Sequence, residues 1–111
     1  MLARDQYHSF AELIDAVKAS GTQDDNFCIY GEDRDALEIS ARYFIAGYPE
    51  VIDDKEIYPP SVRRESLSYL YSGESFVDVV MLAQKHKPDA TYADYVKALN
   101  HYQDNDDFLD L

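Results

Sequence analysis

Apolar positions along the chain follow a helical period in three segments and alternate in between. Phe10, Leu13, Ile14 and Val17 recur at i, i+3, i+4 and i+7, which lays one apolar stripe along a helix. Ser9 stands just before the stripe and Glu12 three residues later, the pattern of a capping box. Gly21 is placed to end this helix, and TQDDN follows as a polar connection. The stripe returns in Phe76, Val79, Val80 and Ala83, after Ser72 and before Pro88. Lys85 and Lys87 suit the C-terminal end of that helix, where the dipole favours cations. A third helix is predicted from Asp89 or Thr91, either of which can cap it. Tyr92, Tyr95, Val96, Leu99 and Tyr102 mark its inner face. The short connection makes the last two helices an antiparallel pair.

FCIY, residues 27–30, is short and rich in strand formers. GEDRD, residues 31–35, reads as a turn. ALEISARYFIAG then alternates, with Leu37, Ile39, Ala41, Tyr43 and Ile45 on one side and Glu38, Ser40 and Arg42 on the other. Ala, Leu, Glu and Arg also suit a helix, but Tyr43, Phe44 and Ile45 decide for a half-buried strand. YPEVIDDKEIYPP is expected to be a long loop, because Pro49, Pro59 and Pro60 limit regular structure. One helical turn over SVRRES and a short strand over LSYLY, residues 67–71, complete the reading. The sum is a single α+β domain: a small antiparallel sheet of about three strands, one face covered by about three helices. No internal repeat or low-complexity segment interrupts it.

Charge changes the picture more than composition does. The 46% hydrophobic content is ordinary for a globular chain, but 22 acids against 10 bases give a formal charge of −12. Such a charge serves solubility and attracts basic partners over long range. It disfavours direct binding of nucleic acid, which needs clustered Lys and Arg, and of an anionic membrane surface. Cys28 is the one cysteine, so neither an internal disulfide nor a thiolate cluster is expected. Between Phe27 and Ile29 it reads as a small buried apolar group. MLARDQYHSF lacks the apolar run of a signal peptide, and no stretch is long enough to span a bilayer. Cytoplasmic residence is the expectation.

Candidate chemistry is sparse. His8, His86 and His101 are scattered, and none neighbours a plausible nucleophile. DNDD, residues 104–107, begins like a calcium loop, yet position six would be Leu109 instead of Gly, and position twelve does not exist. Asp53–Asp54 and Asp106–Asp107 are adjacent pairs without an apolar pocket to split their pKa values. They read as solvated charge, with a hydrolase using a carboxylate pair as the enzymatic alternative. No catalytic residue, metal ligand, cofactor or small-molecule substrate is expected. What remains is a surface with ten tyrosines and no tryptophan. Tyrosine beside carboxylates suits an interface: the ring gives rigid contact area and the acids pair with Lys or Arg. The expected partner-binding residues are Asp53, Asp54, Glu56 and Tyr58 in the loop, Tyr71 in the last strand, and Asp104, Asp106 and Asp107 beyond the last helix. Phe108, Leu109 and Leu111 are expected to fold back on the core and hold those aspartates in a fixed patch.

Residues 67–111 run through a short strand, a helix opened by Ser72 with Val pairs, an exit containing Gln84 and Lys85, and a last helix. That helix closes on Ala98, Leu99, Tyr102, Asp106 or Asp107, and Phe108. With the acidic loop before Ile57, Tyr58 and Pro59, this pattern resembles the small acidic bacterial immunity proteins of contact-dependent growth inhibition systems. The resemblance covers the second half of the chain and rests on composition, not on a catalytic motif. It implies a one-to-one complex with a cognate toxin domain, often a nuclease, whose basic cleft is blocked by an acidic, tyrosine-bearing surface. It also implies fast, salt-sensitive association and no enzymatic activity. The alternative supported by the same charge is a general acidic interaction protein, or nucleic-acid mimic, directed at a basic host protein.

Overall fold

The computed structural model describes residues 3–20, 25–33 and 36–109. It opens with a strand that the periodicity does not announce, β1 (Gln6–Ser9). Ser9 ends β1 and caps α1 (Phe10–Ser20) at once: its hydroxyl accepts from the Glu12 N–H at 3.2 Å, and its own N–H donates to Glu12 Oε1 at 2.9 Å. The capping box therefore forms as expected, and Phe10, Leu13, Ile14 and Val17 are buried. Fully burying a side chain such as Phe10 or Leu13 contributes about 1.5–3 kcal/mol. Gly21 and the start of the polar connection after it lie outside the described residues.

β2 (Cys28–Gly31) forms where FCIY predicts a strand and extends into the expected turn by Gly31; Arg34 and Asp35 lie outside the described residues. β3 (Arg42–Ala46) pairs with both β1 and β2, and β6 (Ser68–Ser72) pairs with β2. The sheet order is β1-β3-β2-β6, with every pairing antiparallel. This corrects the half-buried strand expected over residues 37–46. The strand covers only Arg42–Ala46, and Tyr43, Phe44, Ile45 and Ala46 are all buried. A central strand covered on both faces has no solvent side, so its alternation disappears.

The helical face of the sheet holds the larger core. Phe10 and Ile14 of α1, Phe76 and Val80 of α3 (Gly73–His86), and Tyr95 and Leu99 of α4 (Tyr92–Asn105) pack there with Ile29, Tyr43, Ile45 and Tyr71. The Tyr95 hydroxyl is buried without a hydrogen-bond partner among the described residues. The opposite face is also covered: Cys28, Tyr30, Phe44 and Ala46 pack with Val62 of α2 (Pro60–Arg64), flanked by Tyr58 and Leu67. Cys28 is a core residue, and burial pushes its thiol pKa up.

YPEVIDDKEIYPP is a hairpin, not a loop. β4 (Glu50–Ile52) pairs with β5 (Lys55–Ile57), and Asp53 and Asp54 make the turn with φ of 52° and 63°. Positive φ at both positions is the signature of a type I′ turn, and Asp tolerates it better than most residues. The prolines bound this hairpin instead of preventing it, since none lies inside either strand.

β6 carries a bulge opposite Ile29 and Tyr30, and both Leu70 and Tyr71 enter the helical core. Gln103 Nε2 of α4 donates to the Leu70 carbonyl at 2.7 Å. Ser72 caps α3, and the Gly73 N–H donates to the Phe27 carbonyl at 2.8 Å. Thr91, not Asp89, caps α4 through a full capping box with Asp94, which also pairs with Lys87 Nζ at 3.0 Å. Tyr92, expected to face inward, is exposed and donates to the Asp15 carboxylate. No helix among the described residues is long and apolar enough to cross a membrane.

Candidate partner-binding surface

Leu37 is buried in a connection whose described residues form no strand, so its backbone polar groups need partners elsewhere. Asn100 of α4 supplies them. Its side-chain amide accepts from Leu37 N at 2.8 Å and donates to Leu37 O at 3.0 Å. Tyr43 holds the next residue: its hydroxyl accepts from Glu38 N at 2.7 Å and donates to Glu38 O at 3.2 Å. Leu37 is thereby fixed against α4, and Glu38 is exposed beside it, together with Ile39, which is 46% exposed.

The other half of this surface is the end of α4. Asp104 lies one helical turn beyond Asn100 on the same side of the helix. Asp106 caps the helix in the left-handed conformation, with φ of 55° and its N–H donating to Tyr102 O at 2.8 Å. Asp107 stands 2.8 Å from His101 Nε2. These carboxylates gather at the negative end of the helix dipole, where they oppose it, and the last turn carries no lysine or arginine. Phe108 is 46% exposed, with its ring 5.0 Å from that of Tyr102, and Leu109 packs partly on the core. The tail folds back as expected through Leu109, while Phe108 stays at the surface beside the acids; Leu111 lies outside the described residues.

Asp53, Asp54, Glu56 and Tyr58 form a separate group on the hairpin and its exit. The Tyr58 hydroxyl donates to Glu56 Oε2 at 3.2 Å, and its ring meets Tyr30 edge-on at 6.1 Å. No hydrogen bond or ion pair among the described residues joins this group to the end of α4. Tyr71 does not belong to either surface, which corrects its expected role. It is 4% exposed, packs edge-on against Phe76, and donates its hydroxyl to the Leu99 carbonyl at 2.9 Å. The bulge at Leu70 turns both residues inward, a placement that local sequence does not specify.

Other concave regions lie on the surface of the described residues. One of about 520 Å³ is lined by Tyr7, Glu32, Arg42 and Glu65, with the Arg42 guanidinium 5.3 Å from the Tyr7 ring centre and the Tyr7 hydroxyl donating to Glu65 at 3.3 Å. Among the described residues no group of three or more His, Cys, Asp or Glu is arranged to hold a metal ion. Sequence reasoning missed Glu38 and Ile39 as exposed neighbours of the Leu37–Asn100 contact. The one local sign of their placement is Asn100 itself, a polar residue four positions after Val96 and next to Leu99 in an apolar stripe.

Residues 10–111 match a family model described as a domain of unknown function, DUF7716. No curated protein and no solved structure matches the chain.

Proposed function

The chain belongs to the DUF7716 family, and we propose that it is a cytoplasmic binding protein that neutralises a basic protein domain, as an immunity protein neutralises its toxin. The observation that carries this reading is the joining of two acidic segments by Asn100. Residues 31–41 hold four acids against Arg34, and residues 100–111 hold four acids and no lysine or arginine. The bonds from Asn100 to Leu37 hold the first segment at Leu37 against the helix that bears the second.

A fixed array of carboxylates attracts a cation-lined cleft without the ordering entropy of a mobile tail. Acids at the wrong end of the α4 dipole weaken the fold slightly, which favours a role outside it. Ile39 and Phe108 supply apolar contact within the charged surface, the combination found at specific interfaces. Steric and electrostatic blockage of a nuclease cleft needs no reacting group from the inhibitor.

The test is surface plasmon resonance between the purified chain and purified basic nuclease domains, beginning with any encoded beside its gene. A one-to-one complex is expected, with an association rate that falls as salt rises. Asp104→Lys with Asp107→Lys is expected to slow association about tenfold or more while leaving the fold intact by circular dichroism. Unchanged association in that folded variant removes the α4 face from the account.

A further inference from the structure

The β4–β5 hairpin presents a second surface of different character. All six strand residues are exposed, with Val51 at 72%, Ile52 at 51% and Ile57 at 37%. The two strands pack chiefly on each other and add nothing substantial to either core. A two-stranded hairpin by itself is marginally stable in water. Directly opposed residues share a face, so Ile52 and Ile57 lie on one face with Glu50 and Lys55, and Val51 lies on the other with Glu56.

Charge runs along this arm with a change of sign. Asp53 and Asp54 stand at the tip. At the root, a cleft of about 350 Å³ is lined by Tyr48, Glu50, Ile57, Tyr58, Pro59, Pro60 and Arg63. Arg64 and Arg4 line a neighbouring cleft that shares the two prolines. Among the described residues the guanidinium groups of Arg63 and Arg64 and the carboxylates of Glu50, Asp53 and Asp54 make no ion pair. Glu50 at the root and Lys55 beside the tip reduce the contrast, but Asp53 and Asp54 still complement Arg63 and Arg64 across two arms.

We infer that the hairpin is a self-association surface, on which two copies lay their arms antiparallel about a two-fold axis. Three residues at about 3.3 Å each give an arm about 10 Å long, so an antiparallel pair sets each tip over the other root. Asp53 and Asp54 then face Arg63 and Arg64 of the second copy, and the exposed isoleucines cover one another.

A second copy fits this surface better than a basic partner does. Residues 48–64 contain Glu50, Asp53, Asp54 and Glu56 against Lys55, Arg63 and Arg64, a net charge of −1, which leaves −11 on the rest of the chain. A cationic protein is attracted far more strongly elsewhere, and a like-charged copy meets its least repulsion here. Strand addition by a foreign peptide is also disfavoured, because three-residue strands offer few outward N–H and C=O groups. The inference stands whether or not the α4 face binds a toxin.

Salt gives it a signature. Two copies at −12 repel each other through dilute buffer. At 0.1 M the Debye length is about 10 Å, so that repulsion is screened while contact pairs and apolar burial persist. Self-association therefore tightens from low to moderate salt, the opposite of a complex with a basic protein. Sedimentation velocity on the purified chain across concentration and salt is expected to show a reversible monomer–dimer equilibrium with that trend. Asp53→Lys with Asp54→Lys, and separately Arg63→Glu with Arg64→Glu, are expected to weaken it about tenfold or more, and all four together to restore it. Ile52→Ser with Ile57→Ser is expected to abolish it. A wild-type chain that stays monomeric throughout overturns the inference, as does a dimer indifferent to these changes. Failure of the fourfold variant to recover overturns the tip-to-root pairing. Hairpin changes that weaken only binding to a cationic toxin domain assign the arm to that partner instead and overturn self-association.

Discussion

The side-chain amide of Asn100 and the backbone of Leu37, sixty-three residues apart, exchange two hydrogen bonds of 2.8 and 3.0 Å. Replacing Asn100 by Ala leaves a buried N–H and a buried C=O without partners. Each such group costs about 1–3 kcal/mol, so the variant is expected to lose about 2 kcal/mol or more in urea denaturation. Asn100→Asp keeps the bond from Leu37 N but sets a carboxylate against the Leu37 carbonyl. Amide exchange at Leu37 is expected to accelerate in both variants. Unchanged stability together with unchanged exchange at Leu37 in the alanine variant shows that the loop is held by something else.

Two buried tyrosines separate a satisfied hydroxyl from an orphaned one. Tyr71 donates to Leu99 O at 2.9 Å, whereas the Tyr95 hydroxyl has no partner among the described residues. Tyr71→Phe is expected to lose about 1 kcal/mol, and Tyr95→Phe to be neutral or slightly stabilising, because burying an unpartnered hydroxyl is unfavourable. Thermal denaturation of the two variants side by side reads the contrast. Equal losses mean that Tyr95 finds a partner, such as a buried water.

Gly73 lies where α3 begins against the segment leading into β2. A Cβ there would stand 2.1 Å from the Phe27 carbonyl oxygen and 2.9 Å from that of Asp25. Both neighbours are backbone and cannot swing aside as a side chain does. Gly73→Ala is expected to cost at least about 3 kcal/mol or to prevent folding, read by circular dichroism and denaturant titration. Gly47 is the control: its nearest neighbour is the end of the Arg4 side chain, so Gly47→Ala should be tolerated far better.

Acid destabilisation has two identifiable sources. The Ser9 backbone N–H, and then its hydroxyl, hold Glu12 below its ordinary value of 4.5. The Thr91 backbone N–H, followed by the Lys87 ammonium, holds Asp94 below 3.8. A carboxylate with a lowered folded pKa contributes stability above its unfolded value and loses it as pH falls through the folded one. Urea midpoints are therefore expected to fall between about pH 5 and about pH 2. Glu12→Gln combined with Asp94→Asn should flatten that limb. Lys87 is raised by the same pair, so its contribution is lost only as pH rises through its folded value, above the ordinary 10.5. An acid limb of unchanged slope in the double variant would place its origin in other carboxylates.

The three long helices were legible because their signals are local. Ser9 with Glu12, Ser72, and Thr91 with Asp94 are caps that read a few residues of their own chain. β1 was not legible: Gln6, His8 and Ser9 have little strand preference, and only pairing with β3 makes them a strand. The alternation over residues 37–46 was present but was overridden where Asn100 and Tyr43 take the backbone bonds of Leu37 and Glu38. In the hairpin, Asp53–Asp54 between Val51–Ile52 and Lys55–Ile57 has the two-residue spacing of a turn, which the flanking prolines outweighed in the reading. The acidic end of α4 was visible because its charges are consecutive. Its other half was hidden because it depends on a contact spanning most of the chain.

Gln103 seals one border of the four-stranded sheet by placing its amide on the Leu70 carbonyl. With the bulge beside it, that rim offers no regular row of open backbone groups to a neighbouring molecule. Stacking of sheets end to end into fibres is thus blocked on this side by a helix side chain. The other rim of this sheet is β1, whose four residues are the only strand left there to pair with a neighbour among the described residues.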